Sequence, residues 1–202
     1  MKRNQFLEFM EKFEEEVSTP SLSSWTELSF GQYQGKTLPQ ILFSDPDYFF
    51  HLYEKSEGFW RSPQPTLAEE AKTVCDRATH IRIPGNENRR LVAEYIYDPR
   101  TRKFDHLDII EAGDVNFDGY GATFRLPYLS LSVAHHLCPY DKLGSKRLVR
   151  QVKSIIFIKA NLKMTRRRCE EFFEDETNFF QPPPPVKRET RTDSLRAIGA
   201  QS

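Results

Sequence analysis

The chain has few cysteines, and none of them stands in a Cys-x-x-Cys pair. Cys75, Cys138 and Cys169 are odd in number and far apart, which argues against a disulfide framework and a zinc ribbon and favours a reducing compartment. No stretch approaches the roughly 20 apolar residues of a membrane span, and the first segment is acidic where a signal peptide is apolar. We therefore expect a cytoplasmic protein without a membrane partner.

Net charge is also missing, because 29 basic and 29 acidic residues cancel. No global field steers the protein toward nucleic acid, so an electrostatic function has to come from local segregation of charge. Aromatic residues are plentiful, with 16 Phe, 8 Tyr and 2 Trp, and such rings bury enough apolar area for a core. A length of 202 residues fits one domain.

Apolar residues at helical spacing predict four helices. The first covers residues 3–17, and the second runs from Thr66 to Ala78 with Thr66 and Glu69 as a capping box. A third helix is predicted over 145–157. The segment MTRRRCEEFFEDE gives the fourth.

Alternating residues predict the strands. RLVAEYIY and KFDHLDIIE flank the turn Asp98-Pro99-Arg100-Thr101, which indicates a hairpin, and ATFRLPYLSLSV is an edge or broken strand because it contains Pro127. We therefore predict an α+β fold, a single domain of residues 1–180 with an antiparallel sheet on the 90–110 hairpin and flanking helices. The polar, Pro-led composition of 181–202 predicts a disordered tail.

A glycine-containing module stands out within residues 28–55. Gly31 and Gly35 permit a tight turn beside Tyr33, with Lys36 at its exit, and such a corner can hold a phosphate or a chain end. The fixed positions of the module fall in two halves, Phe30-Gly31, Tyr33, Gly35-Lys36, Leu38 and Ile41, then Asp45-Pro46-Asp47-Tyr48-Phe49 and Leu52.

Residues 30–52 thereby resemble the FGKYKG module at the carboxy end of exodeoxyribonuclease X-type exonucleases and in small bacterial proteins. PYDKLGSK and MTRRRCEEFF also look like segments of bacterial proteins that carry this module, for which the resemblance implies no established activity. Gln32 and Gln34 stand where the family usually has Lys or a similar basic residue, and His51 stands where the family usually has Trp. Two interpretations stay open, a compact unit for packing or protein contact and a contact with nucleic acid.

Four patterns in the sequence resemble chemical sites, and none of them identifies an enzyme. Pro46-Asp47 with Glu70-Ala71-Lys72 has the letters of a PD-(D/E)xK nuclease but falls on predicted helices, not on adjacent strands. The stretch 114–125 begins like a calcium loop but ends on Arg125 instead of a carboxylate, which favours a polar turn and leaves a looser metal site on Asp114 and Asp118 as the alternative. His135, His136 and Cys138 lack a second pair of ligands, and we take them as structural. His106 and Asp108 could form a base with its orienting carboxylate, but no Ser or Cys nucleophile motif joins them. We predict no metal and no cofactor.

The strongest charge asymmetry is the basic stretch 142–168, with ten basic residues and no acidic one. On a helix, Leu148, Val149, Val152, Ile155 and Ile156 gather on one side and Lys146, Arg147, Arg150 and Lys153 on the other. The cations either contact phosphates or pair internally with carboxylates. Those carboxylates would belong to the acidic first helix or to the neighbouring residues Glu170, Glu171, Glu174, Asp175 and Glu176.

We therefore predict a non-catalytic accessory protein that binds DNA or RNA. The binding residues would be Lys36, Lys146, Arg147, Arg150 and Lys153, aided by the corner Gly31, Tyr33 and Gly35. The alternative is a protein interaction or adaptor module in which this corner docks a protein partner. A metal-dependent nuclease is the third hypothesis.

Overall fold

A computed structural model describes residues 25–55, 59–61, 64, 66–113, 122–157 and 163–180. This part of the chain is α+β, as predicted, with six α-helices, two short 3-10 helices and one antiparallel sheet. The α-helices are α1 (Leu38–Ser44), α2 (Pro46–Glu54), α3 (Leu67–Thr79), α4 (Ser132–Leu137), α5 (Lys142–Phe157) and α6 (Arg166–Glu174). The strands are β1 (Leu91–Tyr97), β2 (Phe104–Glu111) and β3 (Ala122–Leu126), and the 3-10 helices are Phe59–Arg61 and Glu176–Asn178.

The predicted hairpin is confirmed as β1 and β2. The Asp98 carboxylate accepts hydrogen bonds from the backbone N–H groups of Arg100 at 2.7 Å and Thr101 at 3.1 Å, which fixes the turn. Strand β3 pairs with the other side of β1, giving the order β2-β1-β3. The third strand is thus an edge strand, and it ends at Leu126 because Pro127 has no N–H for the ladder.

The predicted helices within the described residues are confirmed as α3, α5 and α6, and α5 begins earlier, at Lys142. The capping box of Thr66 and Glu69 is wrong. The Thr66 hydroxyl instead lies 2.8 Å from that of Thr26, and the Glu70 carboxylate accepts from the Thr26 backbone N–H at 3.0 Å. Thr66 and Glu70 thus contact Thr26, a residue distant in sequence, and do not form a local capping box. The helix predicted over 3–17 and the tail 181–202 lie outside the described residues.

Aromatic rings from distant segments form the core. Phe43 on α1 meets Phe157, Phe172 and Phe173 edge-on, with ring centroids 5.4–5.8 Å apart, an arrangement that aromatic pairs favour. On the sheet, Tyr95 is fully buried, and its hydroxyl oxygen accepts from the Ser130 N–H at 2.9 Å. Helix α5 packs against β2 and α4. This packing fixes the direction in which the polar side of α5 points.

None of the helices in the described ranges has the length and apolar character needed to cross a lipid bilayer.

Candidate nucleic-acid interface

The module corner is a closed turn that enters α1. Leu28 donates to the Lys36 carbonyl at 2.9 Å and Gly35 donates to the Leu28 carbonyl at 2.8 Å. Gly31 and Gly35 take left-handed φ values of 72° and 79°, a region that residues with a Cβ atom rarely adopt. The predicted turn is therefore confirmed, with the Lys36 side chain exposed at its exit.

The two halves of the module hold each other. The Tyr33 hydroxyl donates to the Asp45 carboxylate at 2.9 Å, and the Tyr33 and Tyr48 rings meet edge to face with centroids 4.9 Å apart. Asp45 also accepts from the Tyr48 N–H at 3.2 Å, which caps the first turn of α2. Burial and the neighbouring Asp45 raise the pKa of Tyr33 to about 12, so this phenol is neutral at physiological pH.

A groove of about 520 Å³ separates this module from α5. One wall carries Lys142, Lys146, Arg150 and Lys153, which we call the cation row. Their spacing of three or four residues aligns them along one side of α5. The other residues lining the groove are Tyr33, Ser44, Asp45, Pro46, Asp47, Cys138, Ser145 and Val149. Two predicted features that are far apart in sequence, the module and the basic stretch, thus face each other.

In the part of the chain that the structure describes, the cation row has no counterions. No ion pair or hydrogen bond joins the side chains of Lys142, Lys146, Arg150 or Lys153 to another described residue. Lys142, Lys146 and Arg150 are exposed, whereas Lys153 is half-buried, and burial lowers its pKa.

The two carboxylates that line the groove already have partners. Asp45 accepts from Tyr33 and Tyr48, and Asp47 is bound to the His135 ring at 2.7 Å. Because four cations face two engaged carboxylates, the groove has an excess of unneutralised positive charge.

The carboxy-terminal part of the basic stretch differs. Arg166 forms ion pairs with Glu27 and, at 3.0 Å, with Glu170, while Arg167 pairs with Glu171 at 2.6 Å. Internal pairing, one of the two alternatives for the basic stretch, therefore holds for Arg166 and Arg167 on α6, and within the described residues it is not found for the cation row. Residues 158–162 lie outside the described residues.

Two of the predicted binding residues lie off the groove. The Arg147 guanidinium turns toward β2, where it donates to the Asp105 carbonyl at 3.0 Å. Lys36 does not line the groove, but Lys36 and Lys153 both lie within electrostatic reach of the Cys169 thiol. Burial outweighs these charges and raises the pKa of Cys169 to about 12. Lys142, which sequence reasoning did not name as a binding residue, belongs to the cation row through the 142, 146, 150 spacing.

His135 and His136 make contacts that hold α4 in place. His135 is clasped between the carboxylates of Asp47 at 2.7 Å and Glu54 at 3.4 Å, with 15% of its side chain exposed. The His136 ring binds the Ser132 carbonyl at 2.7 Å. These contacts tie α4 to α2 and to itself, as the structural interpretation predicted. His106 lies 3.2 Å from Asp108 on an exposed strand face.

The metal-site patterns gain no support from the fold. Pro46-Asp47 and Glu70-Ala71-Lys72 lie on α2 and α3, so the strand context of the nuclease motif is missing, as predicted. In the calcium-like stretch, 114–121 lies outside the described residues, and Arg125 is paired with Glu94 at 2.8 Å. Across the described ranges no three His, Cys, Asp or Glu side chains are grouped as metal ligands.

Comparison with family models, curated proteins and solved structures finds no match to this chain.

Proposed function

We propose that the protein binds nucleic acid without cleaving it, through the cation row on α5. The observation that carries the proposal is the alignment of four cations along one groove wall, none of them paired with a carboxylate among the described residues. In a chain of zero formal net charge, such a row is a local site and not a by-product of composition.

The chemistry of the row suits a polyanion. Each Lys or Arg that meets a phosphate releases condensed counterions, so several aligned cations give affinity that depends on salt and not on base sequence. The row extends over about 16 Å of helix, which is long enough for successive phosphates and too long for one small anion. The resemblance of the facing module to one found in exonucleases supports the same partner class.

The partners of the other cations support the assignment to this row. Arg166 and Arg167 are committed to carboxylates, and Arg147 is committed to the backbone of β2. Binding phosphate at those positions would first require breaking existing contacts. Binding along the row requires only the displacement of water and loosely held anions.

A matched pair of variants on α5 tests the proposal. Arg150→Glu reverses a charge in the groove, and Arg147→Glu makes the same chemical change one turn away on the β2 side. Both change the net charge by the same amount, so a difference between them reports the site and not the total charge. Binding to a labelled oligonucleotide is measured by fluorescence anisotropy across a salt series, with thermal melting to check the fold.

We expect the wild-type affinity to fall steeply with salt, Arg150→Glu to weaken binding at least tenfold, and Arg147→Glu to change it about twofold or less. Equal losses in the two variants would contradict the assignment to the groove. Failure of the wild type to bind any probe at low salt would overturn nucleic-acid binding altogether. Retention of a protein that depends on Tyr33 and Lys36 would then favour the adaptor alternative.

A further inference from the structure

We propose that the groove takes a single strand of DNA or RNA in preference to a duplex, with a base stacked against the Tyr33 ring. The inference rests on the proposed function and adds two points to it: the class of nucleic acid that is bound and the residue on which a base stacks.

The shape of the groove favours a single strand. The cations line a cleft of about 520 Å³ whose second wall is the α1–α2 junction. A duplex presents its phosphates on a stiff cylinder whose major groove alone is about 12 Å wide, which makes it too broad for a cleft of this volume. A single strand is thin and flexible enough to lie between two walls.

The second wall carries carboxylates that would repel a duplex and an aromatic ring on which a base can stack. Asp45 and Asp47 lie opposite the cations, so a ligand with phosphates on every side would meet negative charge there. A single strand separates its two chemistries, with phosphates along one edge and bases along the other. Phosphates can then lie on the cation row while a base turns toward the wall that holds Tyr33.

Tyr33 is suited to stacking because it is already fixed in place. Its hydroxyl is held by Asp45 and its ring contacts Tyr48, so little side-chain entropy remains to be lost when a base arrives. The ring is half-buried and lines the groove. Since the phenol is neutral, it does not repel the strand. Aromatic platforms beside a cationic track are the usual means by which proteins bind single strands without base specificity.

The spacing of the cations also fits an extended strand. Lys142, Lys146 and Arg150 stand four residues apart, which places them about 6 Å apart along the helix axis. This is the order of the distance between neighbouring phosphates of an extended strand. Three or four nucleotides would therefore span the row from Lys142 to Lys153.

The experiment compares the wild type, Tyr33→Phe and Tyr33→Leu on single-stranded and duplex probes with equal numbers of phosphates. Both substitutions remove the hydroxyl and its bond to Asp45, but only Tyr33→Leu removes the ring. We expect the wild type to prefer the single strand, Tyr33→Phe to bind within about threefold of it, and Tyr33→Leu to lose about tenfold. Melting of both variants checks their fold.

A second measurement needs no substitution. A single strand that carries 5-iodouracil is irradiated on the wild-type protein, and the cross-linked peptide is identified by mass spectrometry. Cross-linking at Tyr33 is expected. Duplex binding as tight as single-strand binding, equal affinities of the Phe and Leu variants, or cross-links confined to other segments would overturn the inference. These outcomes would leave salt-dependent binding through Arg150 intact, whereas no binding of either probe would remove the proposed function as well.

Discussion

The Tyr48 hydroxyl lies where the Cβ atom of any residue other than glycine would stand at position 31. The turn and α2 therefore meet without a gap. Together with the Tyr33–Asp45 hydrogen bond, this contact explains why the two halves of the module occur together. Each half supplies the surface against which the other packs.

Gly31→Ala is therefore expected to destabilise the protein more than Gly35→Ala. Both glycines have left-handed φ values, so either substitution strains the backbone by about 1 kcal/mol. Only at position 31 does the new methyl group collide with Tyr48, because the space around position 35 is open. Overpacking adds about 1–3 kcal/mol. Urea denaturation measures both free energies of unfolding, and Tyr48→Phe should partly rescue Gly31→Ala. Equal losses for the two alanine variants would contradict this packing.

Local sequence patterns predicted most of the elements. The hairpin, α3, α5 and α6 follow from residues close in sequence, since alternation, turn residues and helical spacing act over short stretches. The glycines at 31 and 35 were predictable in the same way, because a tight turn calls for left-handed φ values. The loss of the predicted capping box at Thr66 could not be foreseen from local sequence. The Thr66 hydroxyl contacts Thr26 instead, which is 40 residues away in the chain.

The site was predictable only in part. Arg147 and Arg150 are about 60° apart on a helical wheel, and both lie on the polar side of α5. Only the packing of β2 on one flank and of the α1–α2 junction on the other separates them. Tyr33 and the cation row line the same groove although they are more than 100 positions apart in the chain. No periodicity in the sequence can reveal such a relationship. The sequence thus identified most of the components, and tertiary packing decided which of them share a groove.

Asp141→Ala is expected to cost about 3 kcal/mol of stability. The Asp141 carboxylate is buried and accepts from the backbone N–H groups of Phe104 and Gly144, each at 2.9 Å. It thereby anchors the start of β2 to the first turn of α5. Alanine would leave two buried donors unsatisfied, at about 1–3 kcal/mol each. Asp141→Asn keeps one acceptor oxygen and should lose about half as much in thermal or chemical denaturation. A cost of alanine below about 1 kcal/mol would show that water replaces the carboxylate.

A chain shortened to end at Phe180 is expected to melt at an unchanged temperature. The segment 181–202 is polar and Pro-led, with too few apolar residues to join a core. Ending the chain at Asn178 should lower the melting temperature, because Phe179 is buried and the Phe180 N–H donates to the His80 carbonyl at 2.7 Å. Differential scanning calorimetry distinguishes the two. A large drop already at Phe180 would mean that the domain extends beyond residue 180.

Cys138 should report occupancy of the groove in the unmodified protein. Its thiol lines the groove beside the cation row, whereas Cys75 lies on α3 and Cys169 is buried on α6. Burial raises the pKa of all three thiols, to about 11 for Cys75 and about 12 for Cys169. At pH 8, therefore, less than about 1% of Cys75 or of Cys169 is in the reactive thiolate form. Cys138 should therefore be alkylated first. A bound single strand is expected to slow that reaction several-fold while the rate at Cys75 stays the same, as followed by mass spectrometry of quenched samples. If a saturating strand left the Cys138 rate unchanged, the strand would have to bind elsewhere, and equal slowing at both cysteines would point to a change in overall stability instead.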